Sequence, residues 1–419
     1  MAARARHGDG SIHQRADGKW VARIEAGYTP RGTRRRATRI TRTKQEAVRA
    51  LRDLKTRAAA GETHLDTRTT VKAWSDEWLP LQEARVRPKG FRADKSAVRQ
   101  WIVPTIGHRR LTDLTPADTR KLETALEKAG RAGSTIIRVR ATLSTMLKAA
   151  IQEGHNVPQR VIDAPVLARA QSSRGAIPLD HAVALLKAAA DTPVPSRWAA
   201  ALLQGMRQAE CLGLAWDRIN WQQEVVYIDR QLAELAYTHG CGGTCGRKRA
   251  AYCPRRGFST PRGYVHEHIE GRFHLVEPKT MSGVRVAPLL PWMRDALQDQ
   301  QRRARRGARL VWENPDGTVR DSAQDTAEWK ALQDAAGVRH ETGRYYELHE
   351  CRHTAATLLL SLGVDPVVMT RILGHSTIAS SQAYMHADLS MVRAALEGAA
   401  DRLGIGATVT DRVVESRVG

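Results

Sequence analysis

The first forty residues alternate between apolar and polar positions in the way that β-strands do. Strands are predicted over residues 11–15, 20–25 and 34–40, and the Asp17-Gly18 dipeptide between the first two favours a tight turn. The third strand is strongly basic. The pattern therefore predicts a small three-stranded sheet.

A helical period replaces this alternation after residue 42. Thr43 and Glu46 have the spacing of a capping box, in which each side chain accepts a hydrogen bond from the backbone N–H of the other residue. One helix is predicted to complete this small unit. Its apolar positions are Ala47, Leu51, Leu54 and Ala58.

Residues 71–160 have a helical period throughout, which predicts a compact helical bundle. Tryptophans and Met146 fall on the apolar stripes, so they are interpreted as core residues and not as groups that stack on bases. The inward-facing positions are predicted at Val71, Trp74, Trp78, Leu81, Leu122, Ala125, Leu126, Ala129, Ile136, Val139, Leu143, Met146 and Ala150.

A linker-like segment over residues 156–176 precedes a second large domain. Strands over residues 273–277 and 284–289 are predicted to pair through a turn at Met281-Ser282-Gly283. Helices are predicted over residues 179–190, 196–204 and about 325–403, and another strand over residues 225–229.

These patterns predict a multidomain chain that is mainly α with small β-sheets. A chain of 419 residues exceeds what one hydrophobic core usually organises. The predicted parts are a three-stranded sheet plus helix (1–66), a helical bundle (67–168), an α+β domain (169–395) with a cysteine-containing insertion at about 237–270, and a tail (396–419).

The chain is strongly basic. It has 66 Lys and Arg against 44 Asp and Glu, a net charge of +22, which favours a polyanionic partner such as nucleic acid. A basic surface without a role and a membrane-binding face are the alternatives. Arginines of the third strand are candidates for contacts with DNA phosphates, and a solvated charge run is the other interpretation. They are Arg34, Arg35, Arg36 and Arg39.

The sequence shows no secretory signal and no membrane span. The first ten residues lack an apolar stretch, and no apolar run approaches the about 20 residues of a membrane span. The five cysteines are odd in number and unevenly spaced, which fits a reducing compartment better than a disulfide framework. A cytoplasmic location is expected.

Two arginines occupy positions from which each can bind a phosphate. Arg207 lies at a predicted junction of helices, and Glu210 can face the same side three residues later. Arg352 follows His349 by three residues at a predicted helix start, so both side chains can reach one phosphate. A guanidinium group binds two phosphate oxygens at once. Each pair alone is also an ordinary feature of helices.

The remaining requirements of phosphodiester cleavage have candidates too. Gly374 permits a turn that presents His375, and the next predicted helix carries Tyr384, whose phenolic oxygen can act as a nucleophile. Lys279 beside Pro278 is a candidate proton donor to a departing sugar oxygen. No cofactor is expected for catalysis.

The order and spacing of these residues resemble those of the tyrosine recombinases, specifically of phage-type and integrative-element integrases. The resemblance spans residues 170–395 and departs from the family at Ala209, where serine is frequent, and at Cys351, where leucine is frequent. It rests on the motifs Gly-Met-Arg207-Gln-Ala-Glu210, Pro278-Lys279-Thr280, His349-Glu-Cys-Arg352-His-Thr, Leu-Gly-His375 and Tyr384.

The resemblance implies a site-specific DNA recombinase that integrates or excises a mobile element. Tyr384 would form a 3′-phosphotyrosine, which keeps the free energy of the broken bond, so neither ATP nor a metal would be needed. Lys279 would be the general acid. The implied catalytic residues are Arg207, Lys279, His349, Arg352, His375 and Tyr384, with Glu210 as a supporting carboxylate.

The same resemblance implies the partners. Residues 1–66 would be an arm-type DNA-binding domain, residues 67–168 a core-binding domain and residues 169–395 the catalytic domain. A homotetramer would join two double-stranded attachment sites, with an accessory excision factor as a candidate partner. The alternatives are a chromosome-dimer or plasmid resolvase of the same family, a type IB topoisomerase, and a DNA-binding protein that lacks the chemistry.

The insertion contains a cluster of metal-binding residue types. His239, Cys241, Cys245 and Cys253 could supply four ligands to a structural zinc ion, and glycines between them would let the backbone wrap around a metal. Their spacing is not that of a standard zinc finger. A flexible basic insertion with reduced cysteines is the other interpretation.

Overall fold

The structure is a computed structural model with two compact units. The first unit contains Met1–Gln171 and Ser259–Arg262, and the second contains Ser172–Phe258 and Gly263–Gly419. Helices predominate and the sheets are small, which confirms the predicted fold class. The structure describes residues 10–28, 34–59, 68–165, 175–279, 283–373 and 389–402.

The first unit begins with the predicted three-stranded sheet. Its strands β1 (Ser11–Gln14), β2 (Trp20–Tyr28) and β3 (Arg34–Thr41) lie in this order, each antiparallel to its neighbour. The predicted turn is confirmed at Gly18, whose N–H donates to the carbonyl of Arg15 at 3.0 Å.

Helix α1 (Lys44–Ala59) begins at the predicted capping box. The N–H of Thr43 donates to Glu46 Oε2, and the N–H of Glu46 donates to Thr43 Oγ1, each at 3.2 Å. Ala58 was predicted to face inward but is exposed, because Arg57 instead continues the buried stripe. The core between sheet and helix contains Ala22, Ile24, Ala37, Ala47, Ala50 and Leu54.

The first unit also contains the predicted helical bundle, whose tryptophans lie in the core. Trp74 is 1% exposed, and its Nε1 donates to the carbonyl of Met146 at 2.8 Å. Leu81 and Ala129 were predicted to be buried and are exposed. Gln82 takes the inward position next to Leu81, and its Nε2 donates to Asp94 Oδ2 at 2.9 Å. Ala129 is exposed because it lies one residue beyond the helix that ends at Lys128. The helices are α2 (Val71–Arg85), α3 (Pro88–Ala97), α4 (Val103–Ile106), α5 (Pro116–Lys128), α6 (Gly133–Gln152) and α7 (Gln159–Ile162).

The second unit combines helices with short strands. Its described helices are α8 (Leu179–Ala189), α9 (Pro195–Leu202), α10 (Gln208–Leu212), α11 (Pro291–Arg303), α12 (Ser322–Ala335), α13 (Leu348–Ser361), α14 (Pro366–Leu373) and α15 (Leu389–Arg402). Its described strands are β4 (Ile219–Asn220), β5 (Val225–Ile228), β6 (Gln231–Glu234), β7 (Tyr237–His239), β8 (Arg256–Phe258), β9 (His266–Glu270), β10 (Phe273–Val276) and β11 (Arg285–Pro288).

The predicted pairing of β10 with β11 is wrong. The strands form sheets in the orders β11-β5-β4, β6-β10-β9 and β7-β8. In the first sheet Arg285 lies opposite Ile228 and Pro288 lies opposite Val225. Strand β5 offers β11 a buried apolar partner, whereas β6 and β9 pair with both edges of β10.

Helix α15 lies across the boundary predicted at residues 395 and 396. Leu396 and Ala399 are buried in one hydrophobic cluster with Leu358, Leu359 and Leu373. The helix therefore contributes to the core of the second unit. Across the described residues, every helix is too short or too polar to span a membrane.

Candidate active site

The turn between α9 and α10 brings two arginines together. Gly205 in this turn has a φ of +59°, and a Cβ atom there would lie 2.5 Å from Leu373 Cδ2 and 3.7 Å from Arg352 Cγ. Both the backbone conformation and the lack of space therefore require glycine. Arg207 follows two residues later and caps the start of α10.

Glu210 links Arg207 to a buried arginine, Arg285 on β11. Its carboxylate accepts hydrogen bonds from the backbone N–H of Arg207 at 2.9 Å, from Arg207 Nη1 at 2.6 Å and from Arg285 Nη2 at 2.8 Å. The side chains of Glu210 and Arg285 are each 3% exposed, and that of Arg207 is 36% exposed. The predicted proximity of Arg207 and Glu210 is confirmed.

The carboxylate of Glu210 is ionised at neutral pH. Burial alone would raise its pKa, but the charge of Arg285 and the hydrogen bonds from Arg285 and Arg207 outweigh burial and lower the pKa below its ordinary value. The ionised carboxylate therefore orients both guanidinium groups.

Arg352 on α13 is a buried cation held by backbone carbonyl groups. It is 3% exposed, and it donates through Nη1 to the carbonyl of Gly205 at 2.8 Å and through Nη2 to that of Leu373. No carboxylate within the described part of the chain forms an ion pair with it. Burial, together with repulsion from Arg207 and Arg285, lowers the pKa of Arg352 to about 9, although Glu210 acts in the opposite direction.

This cluster is suited to bind an anion. Three guanidinium groups against one carboxylate leave a net charge of +2. Burying a charge without a counter-charge is costly, and a phosphate oxyanion would remove that cost. Guanidinium groups also match the geometry of phosphate oxygens.

A buried ion pair fixes the helices behind the cluster. Arg197 on α9 and Asp325 on α12 are both fully buried, and they are joined by hydrogen bonds of 2.9 and 2.7 Å. Gln208, next to Arg207, donates to the same carboxylate at 3.0 Å. The start of α10 is thereby tied to α9 and α12.

A second buried carboxylate fixes the start of α13. Glu350 accepts hydrogen bonds from Arg344 at 2.7 and 2.8 Å, and from the backbone N–H groups of Glu347 at 2.7 Å and Gly175 at 3.3 Å. Burial would raise the pKa of Glu350, but these donors lower it. The helix that carries His349 and Arg352 therefore begins at a defined place.

Two further predicted catalytic residues, His349 and Lys279, have exposed side chains. His349 is exposed at the start of α13, and its ring contacts that of His353 at a centroid distance of 5.0 Å. Lys279 is exposed in the segment that follows β10. His375 and Tyr384 lie outside the described residues, so their predicted roles stay predictions.

Sequence reasoning missed Arg285 and Arg344. A signal for Arg285 was present, because a lone arginine occupies a strand whose following residues, Val286, Ala287 and Pro288, are apolar. No comparable pattern marks Arg344, which lies in a loop before α13.

The basic strand of the N-terminal sheet is only partly described. Arg36 and Arg39 have exposed side chains, and Arg39 forms a 3.1 Å ion pair with Asp53 on α1. Arg34 and Arg35 belong to β3, while their side chains lie outside the described part. Their predicted contacts with DNA remain predictions.

The four candidate zinc ligands converge in the second unit. Their ligand atoms all lie within 4.8 Å of one another. The residues are His239, Cys241, Cys245 and Cys253.

Two family models match the chain. Residues 268–391 match the phage integrase family, and residues 70–126 match the N-terminal SAM-like domain of phage integrases. The chain is 27% identical to an integrase of Saccharopolyspora erythraea over 91% of its own length and 93% of the relative's. It is 24% identical to an integrase of Streptomyces ambofaciens, with the same coverage of both chains.

Solved structures of integrases share the fold. The Tn1549 transposon integrase in complex with a circular intermediate DNA matches with a TM-score of 0.58 and 18% identity, over 78% of this chain and 98% of that one. A lambda integrase tetramer bound to a Holliday junction matches with a TM-score of 0.52 and 16% identity, over 93% and 96%. The chain is thus similar to integrases over 91% of its length, and it is a tyrosine site-specific recombinase.

Proposed function

We propose that this recombinase binds the scissile phosphate of an attachment site between Arg207 and Arg352 and attacks it with Tyr384. The buried guanidinium of Arg352, which no carboxylate of the described residues pairs with, is the main support. A phosphodiester carries one negative charge, and a second one develops when a phenolate attacks it. A cluster of net charge +2 therefore stabilises the transition state more than the ground state.

Cleavage then exchanges one ester bond for another. The phenolic oxygen of Tyr384 bonds to phosphorus, and the bond from phosphorus to the 5′-oxygen breaks. Lys279 protonates the departing 5′-oxygen, and His349 and His375 are the candidates for accepting the phenolic proton. The products are a 3′-phosphotyrosine and a 5′-hydroxyl group.

Rejoining is the reverse reaction with a 5′-hydroxyl group from the second duplex. That hydroxyl attacks the phosphotyrosine and releases Tyr384, so the number of phosphoester bonds is unchanged. The reaction needs no external source of free energy. In this scheme Glu210 and Arg285 do not contact the phosphate and act by orienting Arg207.

The proposed partner is double-stranded DNA bound by a homotetramer. The net charge of +22 supports a polyanionic partner. The Tn1549 and lambda integrases of similar fold are bound to DNA, the lambda enzyme as a tetramer on a Holliday junction. Residues 1–66 and 67–168 would supply further DNA contacts, and an accessory factor would set the preference between integration and excision.

Covalent trapping on a nicked attachment-site duplex tests this function. The wild-type chain should form an adduct that survives denaturation, and Tyr384→Phe should bind the same DNA without forming it. Tyr252→Phe is a matched control, because Tyr252 is 65% exposed in the insertion and should not affect the adduct. An adduct that persists in Tyr384→Phe would exclude Tyr384 as the nucleophile.

A further inference from the structure

The insertion contains a compact turn built around four residues that can bind a metal. Strand β7 ends at His239, and Cys241 and Cys245 follow in a glycine-rich turn. Cys253 comes directly after the short helical turn Ala250–Tyr252, and β8 then returns antiparallel to β7. The ends of the β7–β8 ladder thus bring all four side chains to one place.

The distances between the ligand atoms fit a tetrahedral zinc ion. His239 Nδ1 lies 3.4 Å from Cys245 Sγ and 3.9 Å from Cys241 Sγ, and all four ligand atoms lie within 4.8 Å of one another. Tetrahedral zinc with its usual bond lengths separates two sulfurs by about 3.8 Å and a sulfur from a nitrogen by about 3.5 Å. Only small side-chain movements are needed.

Backbone N–H groups around the sulfurs complete this arrangement. Those of Gly243 and Cys245 are directed at Cys241 Sγ, and that of Arg247 is directed at Cys245 Sγ. Gly242 and Gly243 have φ values of +64° and +90°, which glycine adopts without strain and which let the chain fold back on the sulfur. Such outer hydrogen bonds orient and stabilise metal-bound thiolates.

The turn has little apolar core of its own, and the ring contacts of Tyr237 and Phe258 lie at the far end of the hairpin's sequence. No residue of Tyr237–Phe258, a segment that the structure describes completely, belongs to a hydrophobic cluster of the second unit. The β7–β8 ladder has three residue pairs, and an isolated two-stranded hairpin is marginally stable at best. Yet Cys253 is 1% exposed and Cys241 is 7% exposed. Two of the four thiol and imidazole groups are thus buried in a segment that has little apolar core.

We propose that His239, Cys241, Cys245 and Cys253 bind one structural Zn²⁺ ion that holds the insertion folded. Four protein ligands leave no open coordination position for substrate or water, so the ion has a structural role and takes no part in strand cleavage. The five basic residues of this segment, all exposed, give a positive potential that favours the anionic zinc–thiolate centre. They are Arg247, Lys248, Arg249, Arg255 and Arg256.

Metal analysis of the full chain, purified under reducing conditions, tests the proposal without any use of DNA. The wild type should contain one zinc ion per chain. Cys241→Ser and Cys253→Ser should each weaken zinc binding by more than about 10²-fold, because even an outer-shell change costs 10- to 100-fold. Cys211→Ala is the control, since Cys211 is a buried cysteine outside the cluster and its loss should leave the zinc content unchanged.

Hydrogen exchange of the wild type with and without a chelator tests the structural role separately. Removal of zinc should accelerate exchange of the Gly243, Cys245 and Arg247 amides, while amides of α13 keep their rates. A chain without bound metal, a chain with iron in place of zinc, undiminished zinc affinity in both serine variants, or unchanged exchange on chelation would each overturn the proposal.

Discussion

Arg285 Nη2 lies 2.8 Å from Glu210 Oε2, and each of the two side chains is only 3% exposed. Through this contact a residue of β11 determines the position of a carboxylate on α10, which in turn orients Arg207. Arg285 is therefore a positioning residue, 78 positions along the chain from the guanidinium it orients.

Arg285→Ala should lower the free energy of unfolding by about 3–5 kcal/mol, because it leaves the carboxylate of Glu210 buried without its main partner. Urea denaturation measures the change. Arg294→Ala is the matched control: Arg294 and Glu224 are also 2.8 Å apart but are 37% and 36% exposed, so about 1 kcal/mol or less is expected. Equal losses in the two variants would contradict the positioning role.

Glu210→Gln should make stability less dependent on pH in the acid range. Because the pKa of Glu210 is lowered in the folded chain, its ionised form stabilises the fold above its ordinary pKa of 4.5, and that contribution disappears as the pH falls through the lower folded-state value. The difference in unfolding free energy between wild type and variant should thus be largest near neutral pH and shrink below pH 4.5. A difference that stays constant would show that Glu210 is not the titrating group.

Arg352→Met should separate activity from stability. DNA cleavage should fall by about 10²-fold or more, the scale of losing one preorganised donor to a developing charge. The unfolding free energy should change little, because the substitution also removes repulsion from Arg207 and Arg285. Arg197→Met should instead lower the free energy of unfolding by about 3–5 kcal/mol, since it leaves the buried carboxylate of Asp325 without its counter-charge. Unchanged cleavage by Arg352→Met would remove Arg352 from the phosphate site.

Replacing Arg34, Arg35 and Arg36 together by alanine should flatten the salt dependence of DNA binding. The slope of log affinity against log salt should fall by up to about 0.9 for each phosphate contact that is lost. Thr38→Ala, at an exposed uncharged residue of the same strand, should leave the slope unchanged. An unaltered slope in the triple variant would mean that these arginines are merely solvated.

Features that depend on neighbouring residues were predictable from sequence. The capping box of Thr43 and Glu46 and the close pair of Arg207 and Glu210 both follow from spacings of three residues, and both are confirmed. Helical periodicity likewise placed Trp74 and Met146 in one core.

Features that depend on distant pairing were not predictable. The choice of β5 over β10 as the partner of β11 rests on burial in the folded unit, and it is this choice that brings Arg285 to Glu210. Gly205 gave no sign in sequence that Leu373 would leave its α-carbon no room for a side chain. Periodicity also could not show that His349 would be exposed while Arg352, three residues on, is buried.

Strand β10 is hydrogen-bonded along one edge to β9 of the insertion and along the other edge to β6, which precedes the insertion, and it ends three residues before Lys279. Shortening or deleting β9 should therefore loosen the anchorage of the segment that carries Lys279. The insertion and the segment that carries Lys279 are therefore mechanically coupled, because both are anchored to β10.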